Sequence, residues 1–230
     1  MSALFDEVNC WACSLKEYQK MFDLKAEDLQ VKIVDCAAGF ASFNAELSAQ
    51  GGQVVSVDPL YSFSSAALEQ RIPSMLSKMQ EALDAEKANS AGKNSYYTSH
   101  FMADHSAAAQ IFMDDFVKGF EQERYVNATL PLLPFADQQF DLAVCAYFLF
   151  LRPERFDLEF HLKALEEMCR VATEVRIFPL NKGAVKQLVG PLMLHFQQLD
   201  YGLEIREASY ELGQEGNAML RLWRTRCDLK

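Results

Sequence analysis

Residues 31–35 (VKIVD) and 54–58 (VVSVD) are two short apolar runs rich in β-branched side chains, and each ends in an aspartate. Between them lie a turn of small residues, Cys36-Ala37-Ala38-Gly39, and a helix-spaced stretch over 42–50 that Gly51-Gly52 stops. Glycine ends helices because it enters the left-handed region without a Cβ clash. Strand, helix and strand in succession make a βαβ unit, whose strands are parallel and whose crossover is right-handed. That unit constrains the whole chain, because a parallel sheet must be covered by helices on both faces.

The remaining pattern supplies the other layers. Residues 1–24 read as a leading helix, with Leu15, Tyr18, Met21 and Phe22 at helical spacing. Residues 60–123 interrupt the alternation with two apolar stripes. One starts at Pro73 and follows Leu76, Met79 and Leu83; the other follows Ala109, Phe112, Met113, Phe116, Val117 and Phe120. A loop over 89–95 separates them, and the whole is far longer than an ordinary connection. Strands are then expected at 124–127, at 140–148 (FDLAVCAYF) and at 173–178, with helices over 158–169 and 185–199. The run at 140–148 is nearly continuous in apolar residues, as a central parallel strand is. Two closing strands at 203–210 and 218–224 are joined by a linker short enough for an antiparallel hairpin. The expected fold is α/β: one doubly wound, mostly parallel, seven-stranded Rossmann-like sheet with an antiparallel final strand. Residues 1–230 form a single domain, and 60–123 are a helical insertion after the second strand.

Composition narrows the function. Twenty-two basic against 32 acidic residues leave a net charge of −10, which disfavours nucleic acid and anionic lipid as partners. The first 20 residues are acidic and interrupted by polar side chains, unlike a signal peptide, and no run of 18 apolar residues suggests a membrane span. Six sparse cysteines, several inside apolar runs, read as reduced buried thiols. These features point to a cytoplasmic protein.

Open α/β sheets bind ligands beyond the carboxyl ends of their strands. The turn after the first strand, Asp35 to Ala41, has one glycine and lacks the G-x-G-x-x-G that lets a backbone approach a pyrophosphate. Its small side chains and acidic strand end suit a ligand with an ammonium group and no phosphates. Asp58, ending the second strand, is placed to accept hydrogen bonds from ribose hydroxyls.

These residues resemble the class I S-adenosylmethionine-dependent methyltransferases. The family's D-x-G-x-G-x-G motif matches Asp35 and Gly39, with Ala37 and Ala41 in place of glycines. Its acidic residue after the second strand matches Asp58, and LPFADQQFDLAVCAYFLFL (133–151) resembles its L-P-F-x-D-x-x-F-D block and fourth strand. The closing hairpin fits as well, and the small methyltransferases of low-molecular-weight substrates look nearest. The resemblance implies a cofactor site built from Asp35, Ala37, Ala38, Gly39, Asp58, Pro59, Leu60, Thr129, Leu130, Cys145, Ala146 and Tyr147. Gly39 and Ala37 would line the methionine moiety and ribose, while Asp35 would order the turn or reach the amino group through water. Asp58 would hold the ribose and Leu60 would flank the adenine. Cys145 to Tyr147 would lie near the sulfonium and the acceptor. Counting back from LPF puts Thr129 where the family often has an acidic residue.

Other residues offer weaker readings. Tyr18, Tyr61, Tyr96 and Tyr97 could wall a substrate site, although aromatics at such positions are more often core. His100, His105 and His161 are candidates for contact with an acceptor, but His161 shares a helix face with leucines and reads as a packed histidine. Cys10-Trp11-Ala12-Cys13 is a C-x-x-C without the thioredoxin context or a second cysteine pair, so neither redox chemistry nor a metal is expected from it. Arg176 lies in an inner strand, with no partner evident from the sequence.

The expected function is transfer of a methyl group from S-adenosylmethionine to a small-molecule acceptor by in-line displacement. The alternatives are a degenerate binding protein that keeps the fold, a protein methyltransferase and, disfavoured by the missing phosphate loop, a nucleotide-dependent oxidoreductase. The acceptor, the catalytic residues and the oligomeric state are not legible.

Overall fold

The computed structural model describes residues 12–89, 101–150, 155–212 and 216–225. Of the leading helix expected over 1–24, residues 1–11 lie outside the described residues. Residues 12–14 are irregular, and α1 is Leu15–Met21, started by a reciprocal cap between Ser14 and Glu17. The βαβ unit follows as β1 (Lys32–Cys36), α2 (Phe43–Ala49) and β2 (Gln53–Val57). Gly51, at φ 85°, turns the chain out of α2. After β2 come a short 3-10 turn (Pro59–Ser62) and two long helices, α3 (Ser65–Asn89) and α4 (Phe101–Glu121). Pro73 therefore lies inside α3 rather than at its start. The remaining elements are β3 (Tyr125–Val126), β4 (Phe140–Ala146), α5 (Leu158–Val171), β5 (Ala172–Phe178), α6 (Lys182–Ala184), α7 (Gly190–Gln198), β6 (Tyr201–Leu212) and β7 (Gly216–Arg224). A π-turn over Val185–Val189 joins α6 to α7.

The seven strands form one sheet in the order β3-β2-β1-β4-β5-β7-β6. The pairs from β3 to β5 are parallel, and β7 runs antiparallel between β5 and β6. This is the expected doubly wound sheet with a reversed final strand. Strand order reverses between β1 and β4, where the registers pair Cys36 with Cys145 at the carboxyl edge. One buried cluster, including Val34, Ala143, Leu165, Met168, Ile177, Leu192 and Leu222, fills one face. A second, including Tyr18, Phe22, Ile33, Phe43, Val54 and Val144, fills the other.

The apolar stripe on α4 is rotated from its expected position. His105, Ala108, Ala109, Phe112 and Phe116 are buried, whereas Val117 and Phe120 are about half exposed, at 52% and 49%. The buried face packs with Ala38, Phe40, Leu60, Tyr61, Leu68, Ile72 and Tyr125. Thus α4 is the crossover helix from β2 to β3 as well as part of the insertion.

Candidate functional site at the switch point

The turn after β1 is pinned from several sides. The Ala38 N–H donates to the Val57 carbonyl at 3.1 Å, and the Ala41 N–H to the Ala38 carbonyl at 3.2 Å. The Tyr61 hydroxyl donates to the Gly39 carbonyl at 2.8 Å. Ala37 and Gly39 have φ of 57° and 58°, and Tyr147, just past the end of β4, has φ 55°. A Cβ in that region costs roughly 1–2 kcal/mol. Two strained non-glycine residues therefore lie at the carboxyl ends of the two strands that flank the switch point. Such strain persists where the surroundings over-determine it, often at functional sites.

The two aspartates have different surroundings. Asp35 is fully buried. Its carboxylate accepts the Tyr18 hydroxyl at 3.2 and 3.1 Å and the Ser56 hydroxyl at 3.5 Å. Tyr18 itself stacks on Phe43, with ring centroids 4.3 Å apart. Burial pushes the Asp35 carboxyl well above the usual carboxylate range, and the hydroxyl bonds only partly oppose it. Asp35 thus orders the strand end, its oxygens engaged from within the protein.

Asp58 caps the 3-10 turn. One of its oxygens accepts the Gly39 N–H at 2.9 Å and the other the Leu60 N–H at 2.8 Å. Burial raises its carboxyl to about 6, against the lowering effect of the Leu60 and Gly39 bonds. A carboxylate offers about four lone-pair sites. After the two N–H groups, acceptor capacity is left for two hydroxyls. This donor set fits a ribose, and the nearby turn carries no glycine-rich phosphate loop.

The structure brings Asp35, Ala37, Ala38, Gly39, Asp58, Pro59, Leu60, Cys145, Ala146 and Tyr147 to one edge. Cys145 is fully buried, and burial raises its thiol far above the ordinary value. The Tyr147 N–H donates to the Phe178 carbonyl at 2.7 Å, and its buried side chain meets Cys13 and Tyr210. Thr129 is exposed and forms an isolated bridge with Leu132, while Leu130 is buried in the core. The register pairs Val57 with Val126, so the residue level with Asp58 is Asn127. Thr129, reached by counting back from LPF, lies two residues further along, in that bridge.

Among the expected substrate contacts, Tyr61 packs against Phe112, Phe116 and Tyr125 and supports the turn. Tyr18 supports Asp35. Both ring nitrogens of His161 face backbone carbonyls, Asp157 at 2.7 Å and Leu149 at 2.9 Å, so this buried histidine ties α5 to the segment after β4. His105 is buried on α4, 4.0 Å from Glu17, and burial lowers its pKa against the opposing pull of Glu17. Tyr96, Tyr97 and His100, with Cys10 and Trp11, lie outside the described residues. Two clefts of about 340 and 380 Å³ open at the opposite, amino-terminal edge, lined by residues such as Gln138, Arg170 and Tyr201 in one and Lys32, Gln53 and Phe140 in the other. They lie away from the edge where sheets of this kind bind ligands.

No protein-family model matches the chain. It is 28% identical over 209 residues to an uncharacterised protein of Methanocaldococcus jannaschii, a match covering 90% of this chain and 92% of the relative. Among solved structures, it is similar to magnesium protoporphyrin IX methyltransferase of Synechocystis with bound S-adenosylmethionine. That match has 12% identity, a TM-score of 0.49, and coverage of 91% of this chain and 81% of the other. A possible histamine N-methyltransferase of Thermotoga maritima matches at 12% identity and TM-score 0.44, covering 92% and 88%. A methyltransferase from Methanococcus maripaludis, itself assigned to S-adenosylmethionine provisionally, matches at 12% and 0.44, covering 94% and 85%.

Proposed function

We propose that this chain transfers a methyl group from S-adenosylmethionine to a small-molecule acceptor. The observation that carries the reading is Asp58. Its carboxylate is fixed by the Gly39 and Leu60 N–H groups at the switch point of a β3-β2-β1-β4-β5-β7-β6 sheet, with acceptor capacity left for two hydroxyls. The sequence motifs around Asp35, Asp58 and LPFADQQFD support the same cofactor.

When bound, the cofactor supplies an electrophilic methyl on a sulfonium. The protein's part is to place donor and acceptor in line in a dry pocket, since fixed orientation alone can lower such a barrier substantially. Asp58 would hold the ribose, Asn127 and Leu60 would flank the base, and the turn at Ala37–Gly39 would lie along the methionine moiety. Asp35 acts as a positioning residue through Tyr18 and the strand end. An oxygen or nitrogen acceptor can also use a proton acceptor; His161, with both ring nitrogens held by backbone carbonyls, is not free for that role.

The helical insertion forms the cover of this site in the proposed reading. Its support is the packing of α3 and α4 on Ala38, Phe40 and Leu60, the turn residues themselves. Water exclusion and acceptor choice would depend on that cover.

Titration of S-adenosylhomocysteine into the wild type and Asp58→Ala tests the reading. Hydrogen bonds to a charged group contribute about 1.5–3 kcal/mol, so affinity is expected to fall roughly ten- to a hundredfold in a folded variant. Equal affinity in the two proteins would remove Asp58 from the site. No binding by the wild type would favour a scaffold that keeps the fold without the cofactor.

A further inference from the structure

Cys13, Glu17 and His105 converge although they belong to three parts of the fold: the irregular segment before α1, α1 itself, and α4 far along the chain. One ligand-capable atom from each, the Cys13 Sγ, a Glu17 carboxylate oxygen and a His105 ring nitrogen, all lie within 4.8 Å of one another. A tetrahedral zinc with bonds of about 2.0–2.3 Å needs ligand atoms roughly 3.3–3.8 Å apart. The three side chains are thus within a small inward shift of a coordination shell.

The surroundings hold these residues in place. Cys13 and His105 are buried, with relative exposures of 1% and 0%. Glu17 accepts the Ser14 N–H at 2.8 Å and the Ser14 hydroxyl at 2.9 Å through one oxygen. Its other oxygen, Oε1, accepts the Tyr210 hydroxyl at 3.0 Å. Partners of this kind orient a ligating carboxylate and fix its geometry. The His105 ring packs on Phe101, with centroids 4.2 Å apart. The Cys13 carbonyl accepts the Ser42 N–H at 3.0 Å, which sets the cluster against the turn after β1.

We propose that Cys13, Glu17 and His105 form a zinc site. A thiolate, an imidazole and a carboxylate together suit zinc better than magnesium or calcium, which prefer all-oxygen shells. Three protein ligands leave the fourth position to water or to a heteroatom of a bound molecule, as in catalytic rather than structural zinc sites. The ion would also link the segment before α1 to α4. The sequence expectation of no metal rested on the lack of a second cysteine pair, but the fold supplies glutamate and histidine instead. The proposal does not depend on the methyl-transfer reading.

The test uses the full chain, stripped with a chelator and titrated with zinc against a chromophoric competitor, and separately with cobalt. The expected result is one zinc per chain and a cobalt–thiolate charge-transfer band in the near ultraviolet. Cys13→Ser should lose the band. Glu17→Gln and His105→Gln, checked for fold by circular dichroism, should each weaken zinc binding at least about tenfold, because even outer partners of a metal site carry that much. A wild type without the cobalt–thiolate band would overturn the site, whatever the variants do. So would a band and affinity that survive in His105→Gln but vanish in Cys10→Ser, which would assign the metal to the C-x-x-C alone.

Discussion

The two halves of the sheet treat buried charge in opposite ways. At the carboxyl edge of β1 and β2, Asp35 and Asp58 are satisfied by hydroxyls and backbone N–H groups, and burial raises both carboxyls. Among the described residues, no cation makes an ion pair with either. In β5 to β7, Glu174 and Glu204 are paired with arginines. Glu174 accepts Arg221 at 2.7 Å and Arg176 at 2.6 Å, and Glu204 accepts Arg221 at 2.8 Å. Burial would raise Glu174, but the arginine bonds outweigh it and hold it below its ordinary value. Arg176 also reaches Asp28 at 3.0 Å and the Phe22 carbonyl at 3.0 Å, tying β5 to the segment ahead of β1. On the proposed reading, the difference separates scaffold from site. Arginines neutralise Glu174 and Glu204, whereas Asp58 has no cation beside it among the described residues and keeps acceptor capacity, so a ligand is its expected partner.

The largest expected effect comes from breaking the compensated half. Glu174→Ala leaves two arginines without their shared carboxylate and should destabilise the protein by about 3 kcal/mol in denaturant titrations. Affinity for S-adenosylhomocysteine should stay unchanged in the folded fraction. A large loss of affinity at intact stability would erase the distinction between the halves.

The pH dependence of stability sharpens it. Asp58 has its carboxyl raised from 3.8 to about 6, so between those values the folded state binds more protons than the unfolded one. Stability from this group therefore falls as pH rises from about 4 to about 6, by about 2–3 kcal/mol. Asp35 contributes in the same direction. Glu174, held low, has the opposite sign: its stabilisation is present above about pH 4.5 and fades as pH drops further. Asp58→Asn should flatten the loss between pH 4 and 6, and a slope equal to that of the wild type would show that Asp58 is not the group responsible.

Tyr18→Phe comes next. It removes the hydroxyl that Asp35 accepts on both oxygens and should cost about 1–3 kcal/mol of stability. Cofactor affinity should change far less than in Asp58→Ala. The reverse ranking would make Asp35 the ligand-binding acid. The smallest effect is expected from Ala37→Gly. Relief of the left-handed strain and the added chain entropy of glycine oppose each other, leaving a change of about 1 kcal/mol or less. A loss well beyond that in thermal unfolding would mean that the Ala37 side chain makes a packing contribution larger than its strain.

The sequence made the first half of the sheet legible because its signals are local. The apolar runs, the small-residue turn and the glycine stop placed β1, α2 and β2 to within a residue, and Asp58 with them. What it left out depends on distant contacts. The Tyr18–Asp35 pair, the partners of Arg176 and the convergence of Cys13, Glu17 and His105 join residues whose spacing in the chain carries no periodic signal. The rotated stripe of α4 has a similar origin. Its buried face is set by Phe40, Leu60 and Tyr125, and His105 turns inward with it. Counting from the LPF motif reaches Thr129, whereas the strand register puts Asn127 level with Asp58.

Hydrogen exchange with and without S-adenosylhomocysteine tests the central claim most directly, because it compares the two halves in one experiment. Binding should slow exchange at Gly39 and Leu60, whose N–H groups hold Asp58, and in the first turns of α4, while β5 to β7 stay unchanged. Saturation with the ligand that left the Asp58 edge unprotected, or that protected β5 to β7 instead, would contradict the account.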